Sequence, residues 1–345
     1  MSITTIEADP ECVAPVDRQL PRSAMPARPP RDFRGVVVAL PTVAAAASYG
    51  LHALVPNNDP GLQSNFYPEL ILLVLAAAVV FAAWARLLPR FRPSGVYAAP
   101  LFTAAIITVA IWDLVTTKLA LLPMPYFPGP ELVLQGLVDD RWVLLESTFY
   151  SFRLLFCGYA LGVLAGLTSG VLMGWFRQVR YWGMPIMKLI GPIPATAFVP
   201  LVMVMFDEPF FSGAALIALA TWFPVAMLTS SGVANVPASY FDVAKTLGAG
   251  RHFLVFRVAI PAAMPNVFIG LFMGMGAAFL TLIVAETVGV RAGLGFYFKM
   301  QKDYFEFGKV YASLLIMALF FSGFMTLLFK IRDRVLGWQK GVIRW

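Results

Sequence analysis

Long apolar runs broken by short polar islands set the pattern of this chain. A hydrocarbon core about 30 Å thick is crossed by roughly 20 apolar residues in a helix. Stretches near 35–55, 67–87, 98–121, 150–175, 190–206, 212–232, 264–287 and 310–330 meet or approach that length. The expected fold is therefore an all-α polytopic membrane protein with about eight transmembrane helices. One polar island, residues 239–248, differs from the rest. It reads as a short helix, with Ser239 as its cap, Asp242 three residues on, and Gly248 as a left-handed stop. Tyr240, Phe241, Val243, Ala244 and Leu247 share one apolar face of a helix too short to cross a membrane, so that face must lie against something.

Within the spans, glycine and proline mark packing and breaks. Gly158, Gly162, Gly166, Gly170 and Gly174 recur every four residues and form one smooth helical stripe, which lets another backbone approach closely. A glycine-lined channel is the sharper alternative. Gly270, Gly274 and Gly276 repeat the device in the seventh span. Pro192, Pro194 and Pro200 crowd the start of the fifth. Each proline deletes a backbone donor and clashes one turn back, so this span should start late or be broken. Pro194, Thr196 and Pro200 are accordingly candidates for bordering a translocation path, with a kinked packing helix as the alternative. Ionisable residues in or near the spans are few: Asp113, Glu146, Arg153 and Glu286. Asp113 is expected to be buried and hydrogen-bonded, and Glu286 to fix the adjoining loop.

Apolar residues make up 59% of the chain and charged residues 13%, which excludes an ordinary soluble domain. The formal net charge of +7 is spread over short basic clusters between apolar runs, a pattern that orients loops rather than one that binds nucleic acid. Arg86, Arg90, Arg92, Arg177, Arg180, Lys188, Lys245, Arg251, Arg257, Lys330, Arg332 and Arg334 all fall on one side if both termini are cytoplasmic. The loop near 288–309, with Arg291, Lys299, Lys302 and Lys309, runs against that rule and is partly offset by Asp303 and Glu306. Residues 1–33 are proline-rich without an apolar core and read as a disordered cytoplasmic tail. Cys12 and Cys157 predict no disulfide, and His52 and His252 have no metal-ligand spacing. Neither a phosphate-binding Gly-x-x-x-x-Gly-Lys-Ser/Thr loop nor a Gly-x-Ser-x-Gly site occurs, so no catalytic residue, metal or cofactor is expected on this chain.

Asp242-Val243-Ala244, three residues, Gly248, nine residues and Val258-Ala259-Ile260-Pro261 resemble the coupling loop of importer-type ABC permeases: Glu-Ala-Ala, three residues, Gly, nine residues, Ile-x-Leu-Pro. The departures are Asp for Glu, Val for the first Ala, Val for Ile and Ile for Leu. Ala285-Glu286-Thr287 with Gly293-Leu294-Gly295 is similar to the same family, as is Pro192-x-Pro194 followed by Pro200-Leu201. Met205-Phe206-Asp207 replaces the usual Trp-Phe-Gly end. The proline-rich run 122–130, followed by Glu131-Leu132-Val133, resembles the nitrate, sulfonate, taurine and bicarbonate branch.

The resemblance covers about residues 98–330. It implies a six-helix type I importer core over 98–345 with the coupling loop at 239–261, and two additional helices over 34–97. It also implies a bacterial inner-membrane permease working by alternating access, with ATP on separate ATP-binding subunits. Those subunits would dock at Asp242, Ala244 and Gly248, with Arg251 added on charge alone. The remaining implied partners are a second permease, by default a C2 homodimer, and an external solute-binding protein delivering a small anionic solute. An ion-coupled secondary carrier is the rival, expected to show paired mid-membrane ionisable groups and repeated halves, neither of which is visible. A membrane enzyme would need carboxylate or histidine clusters at one face.

Overall fold

The computed structural model describes residues 34–57, 66–87 and 92–339. The expected tail over 1–33, and Arg90 of the cytoplasmic basic set, lie outside the described residues. Among the described residues all regular structure is helical. The order is α1 (Arg34–Leu54), α2 (Phe66–Leu87), α3 (Arg92–Asp113), α4 (Pro130–Asp139), α5 (Arg141–Trp175), α6 (Arg177–Ile190), α7 (Val199–Met205), α8 (Pro209–Ala234), α9 (Ala238–Thr246), α10 (Arg251–Phe253), α11 (Ile260–Val288), α12 (Leu294–Asp303) and α13 (Phe307–Val335). Wider π turns extend α3 through Leu114–Lys118 and join α10 to α11 through Leu254–Ala259, and a 3₁₀ turn, Ala195–Phe198, precedes α7. Among the described residues seven helices are long and apolar enough to cross a membrane, and a bent pair makes an eighth when counted as one span.

Residues 34–53 and Leu70–Ala110 form one compact unit, and the other described residues form a second. In the first, buried Val38 packs with Phe81 and Ala82, and Phe81 meets the Phe102 ring edge-on at 6.2 Å.

The centre of the second unit is α5 against α8. Gly158, Gly162, Gly166, Gly170 and Gly174 face Ile217, Thr221, Val225, Thr229 and Val233 in turn, so the two helices run parallel in a constant register. Helix α11 runs antiparallel to α8: Gly232 lies on Ala263 and Asn266, while Gly274 lies on Thr221 and Val225. Small residues let these backbones approach and gain dispersion contacts that lipid would not supply.

Parallel α5 and α8 require the segment between them to travel back along the bundle, and it does so in pieces. Met187 packs with Met173 and Ala226, Gly191 lies under Phe223, Val199 and Val202 join Leu216 and Ala285, and Met203 reaches Gly289. The expected span over 190–206, which the prolines were to delay or break, is indeed broken: α6 meets the Ala195–Met205 segment at 83° across Gly191-Pro192-Ile193-Pro194. The prolines are the cause, because each removes a ladder donor where a helix would have continued.

Helix α5 starts at Arg141, earlier than the apolar pattern near 150 predicts. The added turns are held by tertiary contacts: Leu144 is buried with Leu294, Tyr297 and Met317, and the Tyr297 hydroxyl donates to Asp140 Oδ2 at 2.7 Å. Burial, and then donation to Asp140, push the Tyr297 phenol well above its ordinary pKa, so it remains a donor.

Candidate functional site

The polar island folds as α9, which begins at Ala238 with Pro237 at the capping position. Ser239 is inside the helix and caps nothing. The Pro237 carbonyl instead accepts from Tyr240 N–H at 3.1 Å, and the fixed φ of proline lets the helix start one position early. At the other end Gly248 has φ +82°, with Gly248 N–H donating to Lys245 O and Ala249 N–H to Ala244 O, a Schellman stop.

The apolar residues of α9 divide between two sides. Phe241 meets the Trp175 ring at 5.7 Å and packs on Val233, Ala259 and Ala263, which anchors the helix to the bundle end. Tyr240, Val243 and Leu247 stay exposed at 56%, 62% and 83%. Beside them lies an open groove of about 590 Å³, lined by Tyr240, Val243, Arg257, Val258, Pro261 and Trp338 among others. Of the sequence candidates, Asp242 is exposed and pairs with Lys245 at 3.6 Å, Gly248 is exposed at the turn, and Ala244 is half-buried. The Arg251 guanidinium lies over the Phe176 ring at 5.4 Å.

Pro194 caps the 3₁₀ turn and is exposed, as is Pro200, whereas Thr196 is half-buried. One side of α7 packs through Val199 and Val202, and the opposite side leaves Leu201, Val204 and Met205 exposed. The sequence reading puts Tyr240, Val243 and Leu247 on one apolar face together with Phe241 and Ala244, and no local pattern separates them. Trp338, far along the chain, had no local signal.

At the opposite end of the bundle from α9, Glu286 is 1% exposed and accepts from Ser151 Oγ at 2.6 Å and Gly295 N–H at 2.7 Å. Ser151 Oγ in turn accepts from Leu294 N–H at 2.9 Å. One carboxylate thereby fixes the start of α12 to α5 and α11. Gly293, at φ +95°, is required there because an added Cβ would strike that carboxylate.

Sequence reading also missed a buried polar knot at the π turn after α3. Lys118 donates to Val55 O at 2.6 Å and Asn57 Oδ1 at 2.7 Å, and the buried Asp113 and Glu131 act on it electrostatically. Among the described residues no group of three His, Cys, Asp or Glu side chains could hold a metal ion.

A sequence profile described as binding-protein-dependent transport system inner membrane component matches residues 158–336. The aliphatic sulfonates transport permease SsuC of Bacillus subtilis is 30% identical over 219 residues, covering 61% of this chain and 77% of that protein. The taurine transport system permease TauC of Escherichia coli is 31% identical over 227 residues, covering 63% and 81%. The inward-facing methionine ABC transporter MetNI superposes with a TM-score of 0.49 at 16% identity, over 57% of this chain and 98% of that one. A profile match across more than half of the sequence makes this chain a member of the binding-protein-dependent transport system inner membrane component family, the permease subunits of ABC importers.

Proposed function

We propose that this permease receives motion from separate ATP-hydrolysing subunits through α9 and passes a small anionic solute handed over by an external binding protein. The observation that carries the reading is the exposed stripe Tyr240, Val243 and Leu247 on a helix anchored from behind by Phe241. Such a stripe loses the hydrophobic contribution of burial until a partner covers it. Lys245 lies on α9, Arg251 follows its stop, and Arg257 lines the groove beside it, which supports a cytoplasmic setting for α9. ATP then belongs to the partner, and this chain supplies the path together with a second permease, by default an identical copy.

The anionic solute rests on the names of the two relatives, an aliphatic sulfonate and a taurine permease. The broken span α6–α7 is the element suited to border the path, since irregular backbone at membrane depth is tolerated beside a cavity. Rigid spans rocking around such a break give alternating access.

Purification from native membranes under mild conditions tests the reading. Wild-type chain should bring down an ATP-binding subunit, and both Asp242→Lys and Gly248→Pro should lose it while still inserting. Recovery of the chain alone, active in proton-driven uptake, would overturn the proposal.

A further inference from the structure

We propose that α6 is a binding site for anionic phospholipid at the α9 end of the bundle, with its cations on lipid phosphates and its exposed apolar stripe on acyl chains. The inference goes beyond the coupling reading and does not depend on it. The span α5 ends at Trp175 and α6 begins at Arg177, so α6 starts where a membrane-crossing helix leaves the bilayer.

At about 100° per residue, the positions of α6 divide into three stripes. Gly183 and Met187 face the bundle, Gly183 on Met173 and Met187 buried with Met173 and Ala226. Val179, Trp182, Ile186 and Leu189 follow one another at i, i+3, i+7 and i+10, and all four are exposed, Trp182 at 73% and Leu189 at 74%. Arg177, Arg180 and Lys188 make the third stripe with Tyr181, again exposed. The Tyr181 and Trp182 rings meet edge-on at 5.3 Å where the basic and apolar stripes adjoin.

The cations are not balanced. No acidic residue occurs between Glu146 and Asp207. Among the described residues Arg177, Arg180 and Lys188 form no ion pair. Arg251, equally without an ion pair, brings a fourth cation to the same elbow: its guanidinium lies over the ring of Phe176, the residue between α5 and α6. In water the exposed stripe would lose the contribution of burial, and the neighbouring cations would repel one another. A free anion would answer the cations and leave Trp182, Ile186 and Leu189 in water. A neutral lipid would cover the stripe and leave the cations unanswered. An anionic phospholipid satisfies both, and tryptophan and tyrosine favour the boundary between acyl chains and headgroups.

The test places full-length chain in nanodiscs of equal parts phosphatidylglycerol and phosphatidylcholine and counts the lipids it retains by native mass spectrometry. Wild type should retain phosphatidylglycerol in preference, and Arg177→Gln and Arg180→Gln should each lower that preference about fivefold. Arg177→Lys with Arg180→Lys should keep most of it, because the charge remains. Lys330→Gln, which removes a charge from α13, should leave it unchanged. Melting temperatures in lipid-free detergent should match wild type for all of these variants, which separates lost lipid from lost fold. Equal retention of the two lipids by wild type would overturn the inference, as would an undiminished preference when both arginines are glutamine. Displacement of phosphatidylglycerol by glycerol 3-phosphate would overturn it in favour of a free-phosphate site. Dissociation of paired copies by Trp182→Gln would overturn it in favour of an interface between permeases.

Discussion

Gly162 faces backbone: an added Cβ would lie 2.6 Å from Ala218 O and 3.0 Å from Ala218 Cα, atoms that cannot swing aside as a side-chain end can. Gly276 faces open space, with nothing within 4 Å. The two glycines should therefore respond oppositely to the same change. Gly162→Ala should destabilise by about 1–3 kcal/mol through forced separation of α5 and α8. Gly276→Ala should be neutral, or stabilising by roughly 0.5–1 kcal/mol through helix propensity. Thermal unfolding in detergent compares them directly, and equal melting temperatures would contradict the packing account. The Gly158–Gly174 stripe was legible in the sequence because a four-residue period needs no knowledge of the partner helix. The division of α9 into a Phe241 side and a Tyr240–Val243–Leu247 side was not. It depends on Trp175, Val233 and Ala259, which the chain brings from elsewhere.

Helix α12 depends on one buried carboxylate for its attachment. Glu286→Ala removes the acceptor of Ser151 Oγ–H and Gly295 N–H and leaves both buried donors unsatisfied, a cost of about 1–3 kcal/mol each. The expected result is release of the helix start, read as faster tryptic cleavage after Lys299 and Lys302 in α12. Glu286→Gln keeps the acceptor oxygen and should be cut more slowly than Glu286→Ala. Equal cleavage of wild type and Glu286→Ala would refute the attachment. At this scale the sequence was informative wherever the cause is local. Three prolines in nine residues foretold the break that appears as an 83° bend. The length of α5 was hidden, since its added turns are held by Tyr297 and Met317, more than 100 residues further on.

The family profile begins at residue 158, so α1 to α3 lie outside the matched region, and the link from the α1–α2 connection to the rest of the second unit runs through Lys118. No sequence pattern announced that link, because Val55, Asn57, Asp113 and Glu131 converge on the lysine only in three dimensions. Asn57→Leu removes one of the two acceptors, a loss of about 1.5–3 kcal/mol for a bond to a charged donor. Deletion of 1–97 removes both, while leaving the lysine buried beside Asp113 and Glu131. Stability should therefore fall in the order wild type, Asn57→Leu, deletion, measured as melting temperature in the same detergent. Helix α9, at the opposite end of the bundle, is built without the deleted residues, so whatever truncated chain folds should still recover the ATP-binding subunit. A deletion variant as stable as wild type would mean that the knot does not hold the connection. Loss of the ATP-binding subunit from folded truncated chain would mean instead that the first two helices shape the α9 end.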